Sequence, residues 1–508
     1  MMDIKETVIN EDGSVAAPSN PCSYSPSRKK EVPEYGKAEE ILSALIFVFS
    51  VIYVRYVVFF TTGLISTLLY FALITTGVIY LRVKNYHFSR FNTALTVVLY
   101  LFSTVFTITD NGFIKFLNAV FLFAAGAYLV YSVCAEKREI ERYLPFAVKS
   151  SLIDYPLNKL DCQLNIFGDS FKSRDTGSNL KKIIGGLFLT IPLTLIVGSL
   201  LMEADDGLNS LFSCMFSDID EEEVYMWILT VLIALPCSCY FFGIFYRNAF
   251  RKDLKELTDE ECAEKLMKKR KVSNLVFHSA AAPILLLYVM FFISQTGYFL
   301  SAFMGRLPDG FSYAEYARKG FFELCWIVVI NLGIMIVMNV YSKKCGNEKT
   351  TALKVYNIIF CIFTLILLAT VLSKMGMYMG AYGLTVLRVQ TTWFMLLCTY
   401  IFLIILIKQF RPGMHISKHI TVGFTIMFTF LCFSRTEYLI VKYNAVTGKV
   451  TTENVDRSGI HSMTDDGLLA AVEEGLMSAH DAQEISGYRH DERATDILNA
   501  STLMLSSK

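Results

Sequence analysis

The sequence predicts an all-α fold, a polytopic transmembrane helical bundle of about eleven spans with the N-terminus inside and the C-terminus outside. The 508-residue chain is 54% hydrophobic and only 18% charged, and its mean hydropathy is +0.44. Apolar runs of about 18 or more residues recur along it, and each is long enough to cross a hydrocarbon core of roughly 30 Å as a helix. Lys and Arg concentrate in alternate loops. These observations exclude a soluble globular enzyme and a β-barrel.

The first 40 residues differ from the rest of the chain. They are polar, contain four prolines and have no apolar stretch before Ile41. They lack the periodic apolar residues that would offset the entropy of ordering, so they are predicted to form a disordered cytoplasmic arm. No cleavable signal peptide is expected, and the first membrane helix serves as an uncleaved anchor.

Apolar runs bounded by charges or turn residues divide the remaining chain. Residues 41–134 are predicted to form a four-helix membrane region, 135–182 a cytoplasmic loop, 183–443 a seven-helix membrane region, and 444–508 an extracytoplasmic tail with short helices. The position of the break within 41–81 is open. The predicted spans are 41–59, 62–81, 92–109, 113–134, 183–202, 224–246, 274–301, 320–341, 352–373, 384–407 and 419–441.

The distribution of basic residues sets the orientation. Nine Lys and Arg lie between Cys134 and Ile183, and nine more between Tyr246 and Asn274. The stretch from Glu203 to Glu223 carries eight acids and no Lys or Arg. Basic residues near span ends are retained in the cytoplasm, so both of these basic segments are predicted to be cytoplasmic and the acidic stretch to be outside. An odd number of spans then places the C-terminus outside.

The loops and the tail offer surfaces for partners. The basic cluster that ends the 251–271 loop is first of all a topogenic signal, although it is also suited to anionic lipid headgroups or a cytoplasmic protein. In the tail, residues 464–476 and 494–505 are predicted to form short amphipathic helices. Two such helices cannot bury a core alone, so we expect them to dock on the outer face of the bundle or on a partner protein.

The sequence contains no catalytic motif typical of a soluble enzyme. The sequence lacks the metalloprotease, phosphate-loop, serine-hydrolase and dinucleotide-binding motifs. The Cys237 and Cys239 pair lies beside Pro236 with no neighbouring His or carboxylate, which favours a proline-kinked helix over a metal site. We therefore expect no cofactor, no metal and no nucleic-acid partner.

Few charges fall inside or at the edge of the apolar runs, and all of them lie toward the predicted outer side. They are Arg55, Glu323, Arg388, Arg435 and Glu437. A charge in hydrocarbon costs about 2.5–3.5 kcal/mol even on mild scales, so each needs a partner, water or the headgroup layer. Glu323 and Arg388 have opposite signs and comparable predicted depths, so they are expected to form an ion pair.

Two motifs around these charges carry a family resemblance. The stretches Tyr313–Leu324 (YAEYARKGFFEL) and Tyr382–Arg388 (YGLTVLR) resemble an uncharacterised family of bacterial polytopic membrane proteins, classified only as a domain of unknown function. The resemblance extends most clearly over residues 274–444. It implies a family architecture and a location in the bacterial plasma membrane, but no activity.

The same motifs define the predicted site. They are expected to line either an outward-facing polar pocket for a lipid headgroup or small polar ligand, or a structural Glu–Arg clamp between two helices. The candidate residues are Tyr313, Tyr316, Arg318, Glu323, Tyr382, Thr385 and Arg388.

Three classes of function are compatible with this pattern. A non-enzymatic cell-envelope sensor, regulator or scaffold ranks first, because it needs an outer site and cytoplasmic contact surfaces. A transporter of a small solute or lipid ranks second, because central ionisable residues and matching halves are not evident. A membrane-embedded enzyme acting on a lipid-linked substrate ranks third, since it lacks a motif.

Overall fold

The computed structural model describes residues 35–59, 63–158, 160–166, 221–250, 258–304, 321–343, 351–455, 459–493 and 499–507, together with isolated positions between them. These parts of the chain are helical, without β-strands. In chain order the helices of seven or more residues are α1 Lys37–Phe59, α2 Leu64–Val83, α3 Arg90–Ile108, α4 Gly112–Cys134, α5 Glu221–Ala249, α6 Asp259–Lys269, α7 Asn274–Phe303, α8 Phe321–Tyr341, α9 Thr351–Tyr382, α10 Val386–Phe410, α11 Ile416–Phe433, α12 Thr436–Val446, α13 Asp465–Glu473, α14 Ala479–Arg493 and α15 Ala500–Ser506.

The protein is a multi-pass membrane protein. Within the described ranges, ten helices are long and apolar enough to cross a bilayer, namely α1–α5 and α7–α11. They correspond to ten of the predicted spans, and the remaining one, 183–202, lies outside the described residues. The break within 41–81 lies between Phe59 and Leu64, close to where the sequence places it.

The last span is shorter than predicted. The sequence suggests one helix over 419–441, but α11 ends at Phe433 and α12 begins at Thr436. Arg435 between them adopts the left-handed conformation, with φ of 47° and ψ of 58°. A right-handed helix cannot continue through that conformation, so α12 leaves the bundle as a separate element.

Contacts between helix ends show in which direction each described span runs. At one end, Arg55 approaches Glu223 at 3.8 Å, and the α9–α10 turn meets α12. At the opposite end, Tyr86 donates to the carbonyl of Ala249, and Ser417 donates to the carbonyl of Arg142. We call these the tail end and the loop end. Since α4 finishes at the loop end and α5 begins at the tail end, these two helices run in the same direction.

Helices α1–α5 pack side by side in a ring. Each of α1–α4 packs against the next helix in the chain, and α5 closes the ring by packing on both α4 and α1. The sequence groups α5 with the later spans, but Phe242, Ile244 and Tyr246 join the buried core of the first four helices.

The 144–166 segment wedges into this ring from the loop end. The hydroxyl of Tyr240 donates to the carbonyl of Leu152 at 2.6 Å, and Gln163 donates to the carbonyl of Ser43 at 3.1 Å. Gly243 permits the close approach, because a Cβ there would lie 2.7 Å from the Pro156 carbonyl oxygen. The sequence predicts a cytoplasmic loop over 135–182, and the described part of the segment inserts among the spans at the loop end.

A second group of spans is arranged around α9, which packs on α7, α8 and α10. Its buried core includes Met335, Phe360, Leu367 and Phe402. Helix α11 links the two groups, since it packs on α10 while Phe428 and Leu431 belong to the core of the N-terminal ring.

Candidate functional site at the tail end

The first family motif is only partly described. Tyr316 and Arg318 lie outside the described residues, and Tyr313 is exposed. Glu323 is exposed in the first turn of α8 and has no ion-pair partner in the part of the chain that the structure describes. The motif residues Tyr313 and Glu323 are therefore available to ligands or headgroups, and their role stays a prediction.

The second motif folds onto itself. Arg388 donates from Nη1 to the carbonyl of Gly383 at 2.6 Å, and its guanidinium lies 3.9 Å from the ring centroid of Tyr378. Thr385 caps α10 by accepting from the backbone N–H of Arg388. Tyr382, the last residue of α9, is exposed and directs its carbonyl toward the same guanidinium.

Glu323 and Arg388 were expected to form an ion pair, but in the described structure Arg388 donates to backbone carbonyls instead. The physical reason is local: Gly383 has φ of +80°, which turns the carbonyls at the end of α9 toward the guanidinium before any side chain of α8 is needed. Carbonyl oxygens and an aromatic face together satisfy a guanidinium well.

The turn that carries this motif is fastened to α12. Asn444 accepts from the backbone N–H of Leu384 at 2.7 Å and donates to the carbonyl of the same residue at 2.8 Å. Lys449 donates to the carbonyl of Ala381. The motif is thus bound to the segment that follows the last span, rather than to α8.

Beyond α11 the chain folds into a small subdomain, which we call the tail cap and which comprises the described residues 436–455, 459–493 and 499–507. Ile440, Leu468, Leu469 and Leu505 form its buried core, and Leu384 at the start of α10 packs against it. The expectation that the two tail helices dock on the bundle is met for α13 and α15, which share this core with the start of α10.

Charged residues join the tail cap to the spans. Arg435 donates from Nε to Asp466 at 2.9 Å and from Nη2 to Ser501 at 3.3 Å, and its guanidinium lies 4.8 Å from the ring of Tyr438. Ser501 donates to the same Asp466 carboxylate. Asp466 is 1% exposed, so its negative charge is stabilised by these partners rather than by water.

Glu437 makes the second connection. One carboxylate oxygen accepts from Asn111 Nδ2 at 2.6 Å, and the other accepts from the backbone N–H and the hydroxyl of Thr464, at 2.6 and 2.9 Å. Glu437 is 4% exposed. Asn111 caps α4 in the N-terminal ring, whereas Thr464 precedes α13. A single buried carboxylate therefore bridges the ring and the tail cap.

We call Asn111, Arg435, Glu437, Thr464, Asp466 and Ser501 the tail-end network. Beside it, Lys115 and Asp110 form an ion pair of 3.0 Å with side chains that are 1% and 2% exposed. At the rim, Tyr438 donates to Glu473 at 2.6 Å, and this hydrogen bond raises the pKa of the phenol. Buried groups of this kind respond strongly to loss of a partner, so the arrangement is suited to registering a change at the tail cap.

The sequence reasoning identified Arg435 and Glu437 as outer charges but missed their partners, and it missed polar residues inside the second group of spans. Tyr288 donates to Asn331, which donates to Thr364 at 2.9 Å. Asn339 and Asn357 exchange hydrogen bonds nearer the loop end. The spacings of 8 between the asparagines of α8 and 7 between Asn357 and Thr364 are helical, and this signal was available in the sequence.

Lys374 was also missed, because the predicted span ended at Ser373 whereas α9 continues to Tyr382. Its side chain is 9% exposed within α9. Asn357, Thr364 and Lys374 are all buried residues of α9. We call Asn331, Asn339, Asn357, Thr364 and Lys374 the α8–α9 polar track.

Comparison with known families identifies the family of this chain. A family described as a domain of unknown function, DUF4153, matches residues 95–474. The chain belongs to the DUF4153 family. The DUF4153 region begins within α3 and ends just after α13, so it includes Arg435, Glu437 and Asp466 but not Ser501. No curated protein and no solved structure matches the chain.

Proposed function

We propose that this DUF4153 protein is a non-enzymatic sensor or regulatory protein of a bacterial plasma membrane, in which the tail cap and the neighbouring YGLT turn form the outward-facing polar site. The observation that carries the proposal is the tail-end network. Buried charges connect the tail cap to the N-terminal ring through Asn111 and to the end of α11 through Arg435. A lipid headgroup or small polar ligand that displaces one member would leave another buried charge unpaired.

The orientation follows from charge. The loop end carries Lys84, Lys137 and Lys418, in addition to the basic loop that ends at Lys271. Basic flanks are retained in the cytoplasm, so we assign the loop end to the cytoplasm and the tail cap to the outside. Because α4 and α5 run in the same direction, the proposal keeps the span predicted at 183–202 and an odd total.

Signalling in this proposal rests on two alternative arrangements of the tail-end network. With the network intact, Glu437 holds α4, α12 and the start of α13 together. When the tail cap is displaced from the ring, Glu437 loses the Asn111 donor and Asn111 loses its acceptor. Leaving a buried charge without its partner is strongly unfavourable, so the bundle must rearrange or hydrate at the tail end. Such a two-state element is what a sensor requires.

A complementation experiment tests the proposal. A deletion strain of the native host receives the wild-type gene, Arg435→Gln, or the control Lys442→Gln. Lys442 is a suitable control because its side chain is half-exposed and its ion pair with Glu474 is long, at 4.0 Å. We expect the wild type and the control to restore the transcript profile, and Arg435→Gln to leave it close to that of the deletion at equal membrane abundance. Full restoration by Arg435→Gln would contradict the proposal.

Transport of a small solute or lipid is the second candidate, and the α8–α9 polar track favours it. Polar side chains at membrane depth are costly and are often functional. The double variant Asn339→Leu with Asn357→Leu removes both partners together, which is close to neutral for stability. The sensor proposal predicts that this variant complements the deletion strain, whereas transport along the track predicts that it fails.

A further inference from the structure

An apolar cavity lies between the helices of the N-terminal ring, and the tail-end site does not use it. Its volume is about 90 Å³, and it is lined by residues of all five ring helices, including Tyr53, Leu99, Leu122 and Phe241. No charged side chain contributes to the lining. Tyr53 and Tyr70 are the only lining residues with a hydrogen-bonding side chain, so the cavity is almost entirely apolar.

Two glycines on the cavity wall have different roles. A Cβ on Gly77 would lie 2.6 Å from Phe245 Cε1, so this glycine lets the Phe245 ring pack against α2. A Cβ on Gly126 would meet no heavy atom within 4 Å. The surface of α4 at Gly126 therefore faces open space, and the missing side chain contributes to the volume of the cavity.

The cavity is only partly enclosed. Val78, Phe123, Gly126 and Phe241 line it and are half-buried rather than buried. They lie within helices that are long and apolar enough to span the bilayer, where the surrounding medium is hydrocarbon. A void lined by apolar atoms loses dispersion contacts, and an apolar guest restores them.

We infer that this cavity binds the end of an acyl chain from a bilayer phospholipid. The volume decides how much of the lipid enters: it is smaller than the roughly 150 Å³ apolar cavity known to hold benzene, so a chain terminus fits and a headgroup does not. The chain is supplied at high local concentration by the membrane itself. Phospholipid chains would thereby act as a structural ligand that fills the centre of the N-terminal ring, independently of the tail-end site.

Photolabelling tests the inference. The full-length protein is reconstituted in phosphatidylethanolamine and phosphatidylglycerol vesicles with a trace of phosphatidylethanolamine that carries a diazirine at the end of one acyl chain. After irradiation, adducts are mapped by peptide mass spectrometry. We expect wild-type adducts on residues 122–130 and 241–245, which are cavity walls. Their absence, with labelling confined to the outer surfaces of α7 and α8, would overturn the inference.

Variants sharpen the test. The Gly126→Phe side chain fills the cavity and excludes about two methylene groups of the acyl chain from it. The lost burial should lower labelling of residues 122–130 and 241–245 about tenfold. Gly333→Phe in α8 is the matched control, because its Cβ also meets nothing within 4 Å and it lies outside the cavity. Val78→Phe fills the cavity from α2 if Gly126→Phe fails to accumulate. Unchanged labelling of 122–130 in a folded filled variant would contradict the inference, as would labelling obtained only with a diazirine-bearing polyprenyl phosphate.

Discussion

At the scale of single residues, the backbone conformation of Gly383 determines how the second family motif is used. Its φ of +80° is strained for any residue with a Cβ, and a Cβ there would lie 2.6 Å from Asn444 Oδ1. The turn therefore joins α9 and α10 while leaving room for the two hydrogen bonds between the Asn444 side chain and the backbone of Leu384. Arg388 is satisfied by the carbonyl that this conformation presents.

The first prediction follows from that conformation. Gly383→Ala should lower the free energy of unfolding by about 1–3 kcal/mol, through left-handed strain and displacement of Asn444. Gly376→Ala in α9 is the matched control, since nothing lies within 4 Å of its Cβ, and it should be neutral or slightly stabilising. Unfolding in detergent measures both. Equal stability of the two variants would show that Gly383 is not constrained.

At the scale of elements, the α3–α4 turn depends on a buried ion pair. Lys115 and Asp110 are almost completely buried 3.0 Å apart, next to Asn111 of the tail-end network. Attraction within such a pair offsets desolvation only while both partners are present. The turn positions the Asn111 amide, so the pair contributes indirectly to the bridge between the ring and the tail cap.

The second prediction concerns this pair. Lys115→Met leaves the Asp110 charge buried and should cost about 3–5 kcal/mol of stability. Adding Asp110→Leu should recover most of that loss, because the stranded charge is removed. A double-mutant cycle measured by denaturant unfolding gives the coupling free energy. Additive losses would show that the two side chains act independently.

At the scale of the whole molecule, hydrophobicity predicts the spans but not their partners. Helices α1–α4 and α7–α10 were predictable because the cost of unsatisfied backbone groups in lipid forces apolar runs into helices. The tail-end network was not, since Asn111 and Glu437 are 326 residues apart and no local pattern relates them. The Glu323–Arg388 pairing failed because equal depth and opposite charge do not reveal which carbonyls a turn presents.

The third prediction is the orientation. A reporter that is active only in the cytoplasm should be active when fused after Lys271 and inactive when fused after Lys508, with a periplasm-active reporter giving the reverse pattern. The reason is the concentration of basic residues at the loop end. Cytoplasmic activity at both positions would indicate an even number of spans and would place the tail cap inside.

The central claim, that the tail cap and the N-terminal ring are coupled through the tail-end network, is tested most directly by hydrogen exchange in lipid nanodiscs. Asp466→Asn removes the acceptor charge that Arg435 and Ser501 share in the tail cap, and Glu474→Gln is the half-exposed control. We predict faster exchange in Asp466→Asn over residues 436–446 and also over 109–115 of the ring, with the control unchanged. Faster exchange confined to residues 459–507, with 109–115 as protected as in the wild type, would contradict the account.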